Sequence, residues 1–250
     1  MGLPTVQFLG VVGWGLLMAW ATDAHATEPP VTVPEGTFEH AVLLDRDVQT
    51  EWVDTFRVDP RPVSRADYAA FVQAHPAWRR SALAGLFQDG GYLKHWHSDL
   101  EPNGEPDAPV VHVSWYAARA YCQAREGALP TLVQWEYLAN LWRTLNEHSD
   151  EDYANAVFAW YGEQRPTALR DEALGVSGFI GPVNEWLEDY QLLLGNGDQI
   201  DFGGGSCGDT GRLIARYDSA HYATLLRYQM RSNISPETTA SNQGFRCVYP

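Results

Sequence analysis

The chain has 250 residues, of which 45% are hydrophobic and 20% are charged. This composition predicts an ordinary globular protein with one substantial core, in a chain too short for several domains. Lysine and arginine number 17 against 32 acidic residues, which gives a formal net charge of −15. Because a protein that binds phosphate backbones needs clustered positive charge, we expect no nucleic-acid partner.

The first segment of the chain, residues 1–26, differs from the rest. An apolar run from Val6 to Ala21 leads to Ala24-His25-Ala26, a small-x-small pattern typical of a signal-peptide cleavage site. No lysine or arginine precedes the run, so a retained anchor or a misassigned start is the alternative. We interpret residues 1–26 as a signal peptide and 27–250 as the domain. This interpretation predicts a periplasmic or secreted protein without stable membrane insertion after removal of the signal.

Short strands and capped helices are predicted along the domain. The segment from Thr55 to Val58 reads as a half-buried strand, and Ser64 marks the start of a helix. Ser114 is a natural N-cap for a further helix, and Thr131 with Gln134 forms a capping box for the next one. We expect both of these helices to lie half-buried.

Histidines are concentrated in the aromatic, glycine-rich segment that precedes Ser114. In an extended conformation His95 and His97 would share one face, which is a spacing that can hold a metal ion. A single pair of this kind in a chain with eight histidines is a weak signal. A solvated loop without metal is therefore the favoured interpretation.

A long ordered set of motifs runs through the domain: Pro109-Val110-Val111, Val113-Ser114-Trp115, Tyr121-Cys122, Leu129-Pro130-Thr131, Trp135-Glu136-Tyr137, Gly203-Gly204-Gly205-Ser206 and Ser241 to Cys247. In this order the motifs resemble the formylglycine-generating-enzyme family, also called the sulfatase-modifying-factor domain. The segment from Gly91 to Trp96 is similar to bacterial members related to an accessory protein of copper nitrite reductase. The resemblance spans roughly residues 33–250 and implies one irregular α+β domain, distantly like C-type lectins, with many loops and little regular secondary structure.

The cysteines depart from the pattern of active relatives, which carry a C-x-x-x-x-C pair that binds copper(I) and oxidises a substrate cysteine to formylglycine. Counting back from the C-terminal motif places these positions on Asp218 and Ala223. The chain holds only Cys122, Cys207 and Cys247, so no two cysteines have that spacing. Copper is therefore not expected as a cofactor.

The resemblance also implies a disulfide between Cys122 and Cys247. That pairing leaves Cys207 as a single thiol near the catalytic region of relatives, and we treat it as the candidate catalytic residue. A reactive thiol needs a lowered pKa, which sequence does not reveal. The alternative is a small buried residue in a glycine-rich turn.

Two further sets of site residues follow from the resemblance. The motif from Gly181 to Asp189 is similar to a calcium-binding motif of relatives, which carries over calcium ligation to Gly181, Val183 and Glu185. The alternative is that Glu185 pairs without a metal. The inherited cleft is expected between the two C-terminal motifs, lined by Tyr217, Asp218, His221, Tyr222, Tyr228 and Arg231.

These features favour an exported protein that binds a client protein or peptide and assists maturation of a periplasmic redox enzyme. The alternative is an oxidoreductase-type modifying enzyme with altered chemistry on a peptide or siderophore precursor. A carbohydrate-binding role rests on fold analogy alone.

Overall fold

The computed structural model describes residues 28–42, 49–162, 173–181, 183–189, 214–232 and 234–250. The predicted signal peptide, the glycine motif at 203–206 and Cys207 lie outside these residues. The described helices are α1 (Arg65–Ala74), α2 (Trp115–Ala124), α3 (Leu132–Leu145), α4 (Asp150–Tyr161) and α5 (Ser219–Ser232). The described strands are β1 (Val31–Val33), β2 (Gly36–Glu39), β3 (Thr50–Val53), β4 (Phe56–Val58), β5 (Asn184–Glu185), β6 (Gln243–Gly244) and β7 (Val248–Tyr249).

The strands form three small sheets. Antiparallel strands β1, β4 and β7 pair in that order, with Val58 opposite both Val31 and Val248. Strands β2 and β3 form a separate antiparallel pair, and β5 lies parallel to β6. The predicted strand over 55–58 is confirmed as β4, where Phe56 and Val58 are buried and Arg57 is exposed. Short sheets joined by long loops give the irregular mixed fold that the resemblance implies.

The helix starts are encoded locally, as predicted. Ser64 and Ser114 each accept a hydrogen bond from the backbone N–H three residues later and so cap α1 and α2. At α3 the Thr131 hydroxyl accepts from the Gln134 N–H at 3.2 Å, and the Gln134 side chain accepts from the Thr131 N–H at 3.0 Å. This reciprocal pair is the predicted capping box.

Two large apolar clusters hold the elements together. One surrounds α3 and includes Trp135, Trp142 and residues of β1 to β4. The other lies between α1 and α2 and includes Tyr68 and Tyr121. Each of α2 and α3 buries one face, which confirms that both helices are half-buried. Within the described residues, no helix is both long enough and apolar enough to cross a membrane.

The C-terminal segment closes the second cluster. Cys247 forms a disulfide with Cys122 of α2 across 125 positions of sequence, and both residues are fully buried. Asp59, next to β4, accepts hydrogen bonds from the Arg125 guanidinium at 2.9 and 3.1 Å and from the Tyr249 hydroxyl at 3.0 Å. The last residues of the chain therefore link α2, the end of β4 and β7.

We predict that Cys122→Ser or Cys247→Ser lowers the free energy of unfolding by about 4 to 5 kcal/mol, because the bridge closes a loop of more than a hundred residues in the unfolded chain. Urea unfolding monitored by tryptophan fluorescence measures the change. Cys207→Ser is the matched control and should have a much smaller effect. Peptide mapping under non-reducing conditions that placed Cys207 in the main bridge would contradict the assignment.

Candidate functional site: a buried arginine cluster

Two arginines of α5 share one carboxylate of α3. Arg227 Nη2 donates to Glu136 Oε2, and Arg231 Nη1 donates to Glu136 Oε1 at 3.1 Å. All three side chains are nearly inaccessible to solvent, with Arg227 and Arg231 each 4% exposed. Residues four apart lie on the same face of a helix, so α5 presents both guanidinium groups to α3 together.

Trp135 connects this triad to a second buried ion pair. The guanidinium carbons of Arg227 and Arg231 lie 4.8 and 3.9 Å from the Trp135 ring centroid. The Trp135 indole N–H donates to Glu185 Oε2 at 3.0 Å. The same carboxylate receives two charge-assisted bonds of 2.8 Å from Arg246, one from Nε and one from Nη2. One tryptophan therefore contacts both charged groups, one through its face and the other through its edge.

Burial shapes the protonation of this cluster. Desolvation opposes the charged form of Arg227, but Glu136 and the surrounding tyrosines outweigh it and raise the Arg227 pKa. Burial raises the pKa of Tyr153 and Tyr161, because it disfavours the charged form of each phenol. Arg227 is thus charged, and Tyr153 and Tyr161 are neutral, at physiological pH.

A small cavity lies beside the two arginines, between the end of α4 and residues 179–181 and 183–184. Trp160, Tyr161 and Asn184 contribute to its walls with Arg227 and Arg231. The Tyr161 hydroxyl donates to Asn184 Oδ1 at 3.0 Å. Gly181 also lines it with φ +67°, and a Cβ there would lie 3.1 Å from the Trp160 ring. This wall therefore favours glycine for both its backbone conformation and its close approach.

The structure brings only some of the predicted cleft residues together. Tyr217 and Tyr222 are exposed near the start of α5, where Asp218 accepts from the His221 N–H at 3.0 Å and contacts His221 Nδ1 at 2.7 Å. Tyr228 and Arg231 instead face the core from the other end of the helix. The six residues predicted to line one cleft are thus divided between an outer helix end and a buried cluster. Cys207 is not among the described residues.

The residues predicted as calcium ligands occupy a different environment from the one expected. Both oxygens of Glu185 already accept hydrogen bonds from Arg246, and one also accepts from Trp135. Gly181 and Val183 line the same cavity as Arg227 and Arg231. Calcium takes about six to eight oxygen ligands and is repelled by positive charge, so this set does not fit a calcium ion.

The histidine segment forms turns rather than an extended strand, so the basis for a His95–His97 metal site is lost. His97 is exposed, whereas the His95 ring packs against His112 with centroids 5.0 Å apart. Burial, with smaller contributions from His112, Arg65 and Lys94, lowers the His95 pKa to about 4. Among the described residues, no group of three His, Cys, Asp or Glu side chains could hold a metal ion.

An open groove lies on another part of the surface, next to β3 and the start of α3. Its volume is about 580 Å3, and its walls include the exposed Trp52, which is 58% accessible. Four acidic residues line it, and no lysine or arginine does so in the part of the chain that the structure describes: Glu51, Asp54, Glu126 and Glu188. The groove therefore has a negative potential beside an accessible aromatic ring.

Sequence reasoning identified Glu136 only as part of a motif, and it identified neither Arg227 as a site residue nor the acidic groove. The spacing of four between Arg227 and Arg231 in a helical segment was a usable signal, because it places both on one face. Their shared partner Glu136 lies 91 residues from Arg227 in sequence, and no local pattern reports that contact.

Comparison of the sequence with known proteins identifies the family to which this chain belongs. Residues 19–250 match the model of the sulfatase-modifying factor enzyme 1-like domain, so the chain belongs to this family. The formylglycine-generating enzyme of Streptomyces coelicolor is 27% identical, and the match covers 91% of each chain. The bovine formylglycine-generating enzyme is 30% identical over 168 residues, which are 57% of this chain and 44% of the bovine protein. A mouse relative named inactive C-alpha-formylglycine-generating enzyme 2 is 26% identical, with 78% of this chain and 75% of that protein covered.

Glu136→Gln should strongly destabilise the fold, because it leaves two buried guanidinium groups without a carboxylate. We expect the free energy of unfolding to fall by about 3 to 5 kcal/mol in urea unfolding. Glu188→Gln is the control, since Glu188 pairs with Arg119 at the surface at 2.8 Å, and such pairs contribute about 0 to 1 kcal/mol. Equal effects of the two substitutions would refute the structural importance of the triad.

Calcium should not alter thermal stability, since the Glu185 carboxylate is occupied by Arg246 and Trp135. We expect equal melting temperatures in calcium chloride and in a calcium chelator at matched ionic strength. Magnesium chloride is the control for a nonspecific effect of divalent cations. A rise in melting temperature specific to calcium and absent from Glu185→Gln would reinstate the calcium site.

Proposed function

We propose that this protein binds a peptide segment of a client protein and assists its maturation, without copper-dependent oxidation of cysteine. The observation that carries the proposal is the cysteine inventory. Of three cysteines in the chain, Cys122 and Cys247 form a buried disulfide, which leaves Cys207 as the only other thiol. A copper(I) site built from two thiolates cannot be assembled from one chain with a single thiol.

The acidic groove supports a binding function and indicates the chemistry of the ligand. Glu188 pairs with Arg119, and the other three carboxylates with the exposed Trp52 suit a segment rich in lysine or arginine, because carboxylates attract the side-chain charge and the indole face binds cations. The edge of β3 lies beside the groove and, within the part of the chain that the structure describes, belongs to a sheet of two strands. An extended peptide could add its backbone hydrogen bonds to that edge.

The similarity to formylglycine-generating enzymes supports a protein or peptide as the kind of ligand. The relative whose name describes it as inactive supports retention of this domain without the oxidase reaction. Export of the chain and a periplasmic redox enzyme as the client belong to the proposal, on the basis of the apolar N-terminal run and the motif from Gly91 to Trp96. A modifying enzyme with altered chemistry is the competing function, and Cys207 is its candidate residue.

One assay tests binding and chemistry together. The purified protein is mixed with a short cationic peptide that contains one cysteine, in air, with and without copper(I). We expect the peptide to bind, as measured by fluorescence anisotropy, and to keep its mass once disulfides formed by air and copper have been reduced, as measured by mass spectrometry. Conversion of the cysteine to formylglycine would overturn the proposal, and any other mass change that Cys207→Ser abolishes would favour the modifying enzyme.

Two aromatic substitutions locate the binding surface. Trp52→Ala should weaken peptide binding by roughly tenfold or more, because a central aromatic anchor typically contributes about 2 kcal/mol or more. Tyr217→Ala is the matched control, since Tyr217 is similarly exposed at the start of α5. If Tyr217→Ala alone weakened binding, the peptide would occupy the inherited cleft and the groove assignment would be wrong.

A further inference from the structure

Arg227 and Arg231 are the charged side chains that line the cavity, and no carboxylate of the described residues lines it. Both guanidinium groups face the single carboxylate of Glu136. Glu185 is engaged by Arg246, and Asp189 accepts a hydrogen bond from the Leu132 N–H at 2.9 Å and also interacts electrostatically with Arg231 without a direct ion pair. Glu136 is therefore the only carboxylate among the described residues that pairs directly with these two arginines.

Several hydrogen-bond donors of the two arginines have no acceptor. In the described part of the chain, Nε and Nη1 of Arg227 and Nε of Arg231 are buried and make no hydrogen bond. Native structures rarely contain buried donors without a hydrogen-bond partner. The free-energy cost of such a donor is highest when it belongs to a charged group. The two side chains that carry these donors both line the cavity.

The size of the cavity restricts what could satisfy these donors. The volume available to the centre of a water-sized particle is about 10 Å3, which is room for one such particle. A peptide side chain or a phosphate ester is too large for this space. Water would satisfy hydrogen bonds but would add no negative charge beside the two guanidinium groups that line the cavity.

We propose that this cavity binds one small monovalent anion of halide size, held by Arg227 and Arg231 beside Asn184. This site is separate from the acidic groove and goes beyond the proposed peptide-binding function. The anion would accept hydrogen bonds from the unsatisfied donors and add negative charge beside the two guanidinium groups, in a region of low dielectric where such interactions have a large effect. It would thereby stabilise the packing of α5 against α3 and the end of α4.

Melting temperature in different sodium salts tests the site. The purified protein is compared in chloride and in gluconate at equal ionic strength, because gluconate is too large for the cavity. Chloride should raise the melting temperature of the native protein by roughly 2 to 4 °C in a saturable manner. Equal melting temperatures in the two salts would overturn the proposal.

The Asn184→Asp substitution introduces a carboxylate into the wall of the cavity and so tests whether the chloride effect arises at this site. Aspartate is nearly isosteric with asparagine and keeps the acceptor for the Tyr161 hydroxyl, while it places a carboxylate beside the two arginines. We expect this variant to melt higher than the native protein in gluconate and to lose the chloride response. Asn103→Asp is the control, since it makes the same charge change at an exposed position, and it should keep the full response.

A direct measurement covers the case in which Asn184→Asp fails to fold. Isothermal titration of the native protein with sodium bromide should give one site per chain, and prior saturation with chloride should abolish the heat. Absence of a saturable signal, or an unchanged chloride response in a folded Asn184→Asp variant, would show that the arginine donors have another role.

Discussion

The packing of α5 against α3 depends on the ion pairs that the Glu136 carboxylate forms with Arg227 and Arg231. This carboxylate receives a guanidinium group from each of two consecutive turns of α5, so it fixes both the distance and the rotation of α5 relative to α3. Two buried guanidiniums could not be accommodated without it, because an unpaired charge in the interior is strongly destabilising. Trp135 precedes Glu136 on α3 and extends the same network to Glu185 and Arg246.

Arg246 and Cys247 are neighbours in sequence, and this connects the charged network with the disulfide. Arg246 is fully buried on Glu185, whereas Cys247 is bonded to α2 and its backbone N–H donates to Asp59 at 3.2 Å. Successive residues of an extended segment point in opposite directions, so a short C-terminal stretch contacts two different clusters. Gly244 precedes them, and a Cβ there would lie only 2.9 Å from the Val183 side chain. The close packing of β5 on β6 thus needs glycine at that position.

The parts of the fold that depend on local chemistry could be predicted from the sequence. The caps at Ser64, Ser114 and Thr131 use hydrogen bonds that span three residues, so the pattern itself contains both partners. The pairing of Cys122 with Cys247 came instead from family resemblance, since three cysteines allow more than one bridge. Glu185 shows what a motif does not contain: the motif identifies an acidic residue but not that Arg246, 61 positions later, donates to its carboxylate.

The two sites have opposite charge, and this separates their roles. A cationic peptide is attracted to the carboxylates around Trp52 and is excluded from the arginine cavity by both size and sign. A small anion fits the cavity but is repelled by the groove and by a chain with a net charge of −15. In the two proposals, the ion at the buried arginines and the peptide at the groove therefore occupy different sites and do not compete. Because neither site offers a thiolate pair, the geometry favours recognition at the groove over oxidation within the core.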